Sequence, residues 1–266
     1  MGVKGCAVVL METHQIMKKT NKIFSLLLAG MLLPTFSQAQ DTQNDIRSFN
    51  KVTVSPGVNL ILQKGVHESV RILYNDIPQS KVNVVVKGNK LRIYLDDARV
   101  IEKQVRVFKK GNTQKQGIYH GSSITAYVTY HALKAVEIRG DQEFRCDDEI
   151  KTNKFKLKAY GEAEIRLAAL DTRKFKVSLY GNNDVRIRSG VADDQVYRLF
   201  GENKINTIGL KSATATTRIY GEGKVSIYAS EEVRINSCGE PIINIDGTSV
   251  ISKGIILGRA DIRVNR

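Results

Sequence analysis

The sequence has 266 residues but no tryptophan, only four prolines and only three cysteines. Without tryptophan, the chain lacks the side chain best suited to stacking on a flat ligand ring. Nothing beyond residue 39 keeps a 3.6-residue apolar period over three turns, which excludes a helical domain. Nor does a stretch rich in Pro, Gly or Ser interrupt residues 40–266, so we predict a single domain there.

The first 39 residues have the features of a secretory signal peptide. A basic segment, residues 17–22, precedes an apolar run at 23–33, and small residues at positions 37 and 39 place the cleavage before Gln40. We interpret residues 1–16 as lying upstream of the true start. A permanent N-terminal anchor is the alternative, although the run is short for a membrane span. We therefore predict an exported protein of the periplasm, cell surface or extracellular space, not integral to a membrane.

Positive charge dominates the chain. The net charge is +14, and removing residues 1–39, which hold four Lys and one Glu, leaves +11. Such an excess of positive charge favours acidic partners, among them anionic glycans, lipopolysaccharide phosphates and nucleic acid. We predict no nucleic-acid partner, because an exported protein rarely meets one. A lysine-rich exterior that serves only solubility is the alternative interpretation.

Glycines recur at nearly one interval in the second half of the chain. Successive differences are 21, 20, 20, 20, 18 and 19 residues. A period of about 20 is typical of an array in which each unit is buried only by its neighbours. The glycines are Gly140, Gly161, Gly181, Gly201, Gly221, Gly239 and Gly258.

Apolar residues occupy fixed positions around these glycines, namely two and four residues before and four and six residues after each one. Of these 28 positions 24 are apolar, whereas the average of 42% for the chain would give about 12. The intervening positions are polar or charged, as at residues 154–158. This alternation predicts strands with one dry face and one wet face.

We therefore predict an all-β fold, a right-handed parallel β-helix or solenoid. Each turn of about 20 residues holds three short strands, with the glycine at one corner. A meander of hairpins is the alternative, but only stacked coils require repeats of one length. Further segments are predicted to be strands that continue or cap the solenoid, with a hairpin turn at 87–90 and an exposed basic loop at 109–117. These strands are 49–54, 58–62, 69–74, 82–86, 91–95 and 124–130.

Two cysteines remain after the leader, Cys146 and Cys238, about five repeats apart. If coils stack about 4.8 Å apart, the two residues are separated by roughly 24 Å. A disulfide requires Cα atoms within about 7 Å. We predict that both cysteines are unpaired.

Three stretches, residues 49–62, 87–93 and 133–140 with the glycine repeats that follow, resemble the family called putative auto-transporter adhesin, head GIN domain. The resemblance covers residues 48–248. It implies an exported, solenoid-like β protein of bacterial envelopes, frequent in Bacteroidetes. Its name implies adhesion, and no catalytic residues are attached to it.

An aromatic residue precedes four of the glycines and is predicted to face outward. Such a column offers a stacking surface to sugar rings, with hydroxyls at its edge. A purely structural stack that stiffens the corner is the alternative. The predicted ligand-binding residues are Tyr160, Tyr180, Phe200 and Tyr220.

A mostly acidic column follows the glycines. Stacked carboxylates can collect calcium, but residues at these positions also satisfy backbone groups in turns, and we predict no metal site and no cofactor. The column consists of Asp141, Glu162, Asn182, Glu202, Glu222, Glu240 and then Arg259.

Catalytic motifs are lacking, and we predict no catalytic residues. The histidines after residue 39 are His67, His120 and His131, and none has metal-ligand spacing.

We predict an exported, non-enzymatic cell-envelope protein, an adhesin or glycan-binding module whose partner is an anionic or neutral glycan or another envelope component. Contact with a membrane surface stays open. The alternatives are a structural scaffold that associates through the solenoid ends and a carbohydrate-active enzyme of the β-helix type.

Overall fold

Alternating apolar and polar residues form strands along most of the chain. The computed structural model describes residues 40–43, 46–109 and 111–265, in which there are strands and one 3-10 turn but no α-helix. The predicted upstream residues and signal peptide, 1–39, lie outside the described residues. The strands and the turn are β1 (Gln40–Gln43), β2 (Lys51–Val54), β3 (Val58–Lys64), β4 (Ser69–Leu73), η1 (Gln79–Lys81), β5 (Val82–Lys87), β6 (Lys90–Leu95), β7 (Gln104–Lys109), β8 (Asn112–Gly117), β9 (Ile124–Tyr130), β10 (Ala135–Gly140), β11 (Glu143–Gly161), β12 (Glu164–Gly181), β13 (Asp184–Phe200), β14 (Lys204–Thr207), β15 (Leu210–Tyr220), β16 (Lys224–Tyr228), β17 (Glu232–Gly239), β18 (Ile242–Asp246), β19 (Val250–Gly258) and β20 (Asp261–Asn265).

Parallel pairing stacks these strands into a β-solenoid of about seven turns, which confirms the predicted fold class. The strand segments that precede the corner glycines pair from β2 through β10 to β19, and we call this ladder the pre-glycine face. The segments that follow the glycines pair from β3 to β20 and form the post-glycine face. A third ladder joins the central parts of β11, β12 and β13 to the start of β15.

The nearly equal repeat length places most residues on their counterparts in the next coil. Gly140 pairs with Gly161, and Gly161 pairs with Gly181. At the inner corner glycines the backbone has positive φ, +117° at Gly161 and +109° at Gly181. A Cβ atom at Gly181 would overlap the carbonyl oxygen of Gly161, so the corner requires glycine for its conformation and for its close stacking.

The core lies inside the coils, at the predicted positions. Side chains such as Ile165, Leu179 and Val225 are fully buried. The last coil differs, because no described strand pairs beyond β19 and β20 on that side. There Ile256 and Ile262 are only half-buried and Val264 is exposed. The inward periodicity therefore holds wherever another coil follows.

Two sets of buried residues were not predicted. The third ladder contributes Ile150 and Leu170 to the core, and Phe155 stacks on Phe175 with ring centroids 6.0 Å apart. The position two residues after each glycine is also inward, and Asn203 there is fully buried. An inward asparagine carries no hydrophobic signal, so the apolar pattern could not reveal this column.

The N-terminal half continues the same ladders and adds antiparallel strands at that end. β2 pairs with β6, and β3 with β9, in parallel, whereas β4 pairs with β9, and β5 with β6, in antiparallel fashion. The hairpin predicted at residues 87–90 is confirmed. The predicted loop at 109–117 is wrong, because Asn112–Gly117 is strand β8, paired with β7. A polar strand without apolar alternation gives no period-2 signal.

The strands that the structure describes, β1 to β20, all belong to one compact unit, Ala39–Arg266. The assignment of residues 40–266 to one domain stays a prediction. No helix within the described ranges is long enough and apolar enough to cross a membrane.

Candidate functional site

Four aromatic side chains form a continuous outward-facing stack on the pre-glycine face, and we call Tyr160, Tyr180, Phe200 and Tyr220 the aromatic column. Successive ring centroids are 4.9, 4.9 and 4.8 Å apart, and the planes are within 4° to 7° of parallel. The distances match the spacing of adjacent strands. Tyr180, Phe200 and Tyr220 are exposed by 38%, 37% and 48%, and Tyr160 is half-buried.

Stacking determines which part of each ring is available to a ligand. Tyr180 and Phe200 have a ring neighbour on both sides, and Arg139 covers the outer side of Tyr160 at 4.9 Å from its centroid. Beyond Tyr220 the next residue in register is Cys238, which is too small to cover the ring. The column therefore offers ring edges and tyrosine hydroxyls along its length, and a ring face at Tyr220. Whether these four residues bind a ligand stays a prediction.

Cationic side chains lie directly beside the aromatic column on the same strands. Because side chains alternate along a strand, residues three and five positions before a glycine face outward with the aromatic residue. Along the strand, the residues three positions before a glycine are about 7 Å from the aromatic residue, and those five positions before it are about 13 Å away. We call the cations at these positions the basic surface, which consists of Lys156, Lys158, Lys176, Arg198 and Arg218.

None of the five cations of the basic surface forms an ion pair with a described residue, whereas arginines of the post-glycine face do. Arg145 pairs with Asp147 at 2.8 Å, and Arg186 pairs with Asp184 at 3.2 Å. Arg166 likewise pairs with Glu164. The post-glycine face thus neutralises its own charge, and the basic surface does not.

Crowding of like charges is strongest around Lys176. The positive charge of Lys154 lowers the pKa of Lys176, with smaller contributions from partial desolvation and from Lys174, Arg198 and Lys156. A groove of about 210 Å³ lies among Lys156, Lys158, Lys176 and Arg198. The arrangement lacks a negative charge that a ligand would supply.

A larger groove, of about 570 Å³, lies on the post-glycine face. Arg145, Arg166, Arg186 and Arg188 line it together with Glu143 and other residues. Three of these arginines are held by carboxylates two residues away on their own strands. These ion pairs make the groove less suited to an anion than its arginine content suggests.

The mostly acidic column that follows the glycines is exposed on the far side of the corner from the aromatic column. Within the part of the chain that the structure describes, no three side chains of Asp, Glu, His or Cys are grouped so that they could hold a metal ion. The three histidines for which the sequence predicts no metal-ligand role are exposed. They are His67, His120 and His131.

Both described cysteines are free, as predicted. Cys146 is buried in the core beside Tyr130, with 3.8 Å between Sγ and the phenolic oxygen. Burial raises the pKa of the Cys146 thiol to about 11. Cys238 is exposed at the end of the aromatic column.

The aromatic column was predicted from the sequence, and the basic surface was not. The signal for it was present, because Lys156 and Lys158 alternate with core residues. The same alternation is typical of any solvated strand face. Only the register of four coils shows that the cations and the rings share one face and that the two columns nearest to the rings hold no carboxylate.

Coils of about 20 residues, stacked in parallel around one core, define this protein as a β-solenoid. The sequence profile of the family described as "Putative auto-transporter adhesin, head GIN domain" matches residues 48–249. The chain belongs to this family. Its description as an adhesin implies binding to external surface components and a surface or exported location.

Solved structures of proteins from Bacteroides and Parabacteroides share this fold. A putative adhesin from Bacteroides fragilis has a TM-score of 0.70 at 19% identity, covering 87% of this chain and 99% of that chain. A putative adhesin from Parabacteroides merdae has a TM-score of 0.62 at 14% identity, covering 86% and 96%. A putative lipid binding protein from Parabacteroides distasonis has a TM-score of 0.60 at 17% identity, covering 86% and 98%. No curated protein matches the chain significantly.

Proposed function

We propose that the protein is an exported, non-enzymatic adhesin of the cell envelope that binds a glycan or another envelope component through its pre-glycine face. One observation carries the proposal: an exposed aromatic column lies beside a surface of unpaired cations on a rigid parallel ladder. Membership of an adhesin family supports the same class of function.

The stacked geometry suits contact along the edge of the column. Tyrosine hydroxyls at ring edges donate and accept hydrogen bonds, and the apolar ring edges pack against the C–H groups of a sugar. Each ring in the middle is held by two neighbours, so binding costs little side-chain entropy. A repeated surface of this kind fits a repetitive ligand better than a small compact one.

A structural scaffold is the second candidate function. Val250, Ile255 and Leu257 on the last coil are exposed by 72%, 70% and 59%, and the strands there have unpaired edges that favour association with other chains. Association through this end would leave the pre-glycine face without a ligand. A β-helix carbohydrate-active enzyme is less well supported, because three of the arginines that line the groove of about 570 Å³ are held in ion pairs with carboxylates.

Export is tested by expressing the full chain and a variant without residues 17–33, followed by cell fractionation and protease treatment of intact cells. We expect the full chain to leave the cytoplasm and the variant to stay there. Cleavage in intact cells would distinguish surface display from a periplasmic location. Retention of the full chain in the cytoplasm would contradict the proposal.

Ligand binding is tested on a glycan array at low and high salt. The native protein is compared with a Tyr160→Ala/Tyr180→Ala/Tyr220→Ala variant and with the matched Tyr→Phe variant, which keeps the stack because Phe200 already occupies it. We expect a salt-resistant part of the binding to vanish in the alanine variant and to weaken in the phenylalanine variant. Absence of binding to any glycan would favour the scaffold, and degradation of a bound glycan would contradict the non-enzymatic assignment.

A further inference from the structure

We propose that the pre-glycine face binds an acidic polysaccharide that runs along the aromatic column, with its carboxylate or sulfate groups on the basic surface. This inference rests on the proposed function and names the class of ligand. It comes from the register: each of the four successive coils that form the aromatic column carries an outward ring and also an unpaired cation.

The combination holds on each of four successive coils. Tyr160 has Lys156 and Lys158 before it on its strand, and Tyr180 has Lys176. Phe200 follows Arg198, and Tyr220 follows Arg218 in the same way. On these coils the two columns nearest to the rings hold no carboxylate.

Rings and free cations end together at both limits of the surface. On the coil before Tyr160 the aromatic position is Arg139, which pairs with Glu137 at 2.5 Å. On the coil after Tyr220 the aromatic position is Cys238, and Arg234 there pairs with Glu232 at 3.1 Å. The coils on either side of the aromatic column therefore combine the loss of the ring with a paired arginine.

Dimensions and chemistry favour an elongated ligand. Four coils span about 14 Å along the solenoid axis, because adjacent strands are about 4.8 Å apart. A linear polymer with regularly spaced negative groups would place several of them on Lys158, Lys176, Arg198 and Arg218. Bound anions would also relieve the like-charge crowding that lowers the pKa of Lys176.

An anionic membrane fits this surface less well. Peripheral insertion uses protruding apolar side chains beside the cations. Here the rings are stacked on one another, and Val196, the aliphatic residue among the cations, is half-buried. The surface therefore presents hydroxyl groups and charges rather than protruding apolar side chains.

The test measures binding of the purified full chain to alginate, a polyuronate, with dextran as the neutral probe and phosphatidylglycerol vesicles as the membrane probe. One variant carries Lys158→Gln, Lys176→Gln and Arg198→Gln. Its matched control carries Arg145→Gln, Arg166→Gln and Arg186→Gln, which removes the same charge from stacked positions on the post-glycine face. Circular dichroism and thermal unfolding verify that both variants are folded.

We expect the basic-surface variant to bind alginate at least about tenfold more weakly than the native protein. The control variant is expected to change the affinity for alginate by less than about threefold. Equal losses in both variants would overturn the proposal, because they would indicate diffuse attraction by net charge. Stronger binding to vesicles than to alginate would also overturn it. Dextran binding that depends on the tyrosines but not on the cations would overturn this inference while leaving the proposed function intact, whereas binding to no glycan would contradict both.

Discussion

The side-chain oxygen Oδ1 of Asn203 accepts hydrogen bonds from two donors of Asn183, the backbone N–H at 3.2 Å and Nδ2 at 3.0 Å. Asn183 accepts in the same way from the backbone N–H of Ala163 at 3.1 Å. The Nδ2 groups of the two asparagines donate to the carbonyl oxygens of Tyr180 and Phe200. This buried ladder fixes the corner next to two members of the aromatic column.

Replacing Asn203 by alanine is expected to lower the free energy of unfolding by about 1–3 kcal/mol, because buried donors of Asn183 lose their acceptor. Alanine itself fits the site, since Ala163 occupies the equivalent position. Urea denaturation measures the change. The control is Asn182→Ala, because Asn182 is exposed and accepts only one bond, from Glu202 at 3.4 Å. An equal loss in the control would show that the buried ladder has no special role.

Glycine at the corner is expected to be irreplaceable for two separable reasons. Gly181→Ala places a Cβ against the carbonyl oxygen of Gly161 at a φ of +109°. We expect it to lower the free energy of unfolding by about 3 kcal/mol or more, from backbone strain and overpacking together.

Gly88→Ala isolates the backbone contribution, because φ there is +60° and nothing lies within 4 Å of the added Cβ. Its expected cost is about 1–2 kcal/mol. The two variants are compared by urea denaturation under identical conditions. Equal costs would mean that close stacking of the corner glycines contributes nothing.

The fold could be predicted from the sequence because the solenoid repeats its constraints. A corner glycine such as Gly181 recurs at one interval, and apolar residues such as Ile165 keep a fixed offset from it. Stacking requires both. The same reasoning revealed the aromatic column, since a ring one residue before the glycine must face outward.

Other features depend on contacts between coils that no single repeat reveals. Asn203 is buried because its side chain replaces backbone hydrogen bonds, which makes a polar residue favourable at an inward site. Phe155 belongs to a ladder that has no glycine recurring on every coil. Lys176 looks like any solvated lysine until the register places Lys156 beside it.

Thiol chemistry should distinguish the two cysteines. At pH 8 we expect iodoacetamide to modify Cys238 in the native protein and Cys146 only in denaturant. Cys146 is fully buried, and its pKa is raised to about 11, so its thiol stays protonated and unreactive at that pH. Peptide mass spectrometry measures the labelling, and the Cys238→Ser variant serves as the control. Rapid labelling of Cys146 in the native protein would show that the coil around it opens readily.

The raised pKa of Cys146 also predicts the direction of a stability change with pH. The ordinary value is 9.0 and the folded value is about 11, so the folded state binds the proton more tightly. The stability that the protonated Cys146 thiol contributes is fully present below pH 9. It is lost as the pH rises toward 11, because the thiol ionises in the unfolded state first. Denaturation of native protein and a Cys146→Ala variant at pH 8 and pH 10.5 measures the difference. A native protein that loses no more stability than the variant over this range would contradict the assignment.

Stacking within the aromatic column should contribute to stability independently of any ligand. Tyr180 and Phe200 are 4.9 Å apart with planes at 4°, and an aromatic pair contributes about 0.5–1.5 kcal/mol beyond the area it buries. A double-mutant cycle of Tyr180→Ala and Phe200→Ala is expected to give a coupling energy in that range. Tyr180→Phe should be nearly neutral, because Phe200 already shows that a ring without a hydroxyl fits the stack. A coupling energy near zero would mean that the rings are aligned by the backbone alone. A loss of ligand binding in the alanine variants would then reflect lost ligand contact and not lost stacking energy.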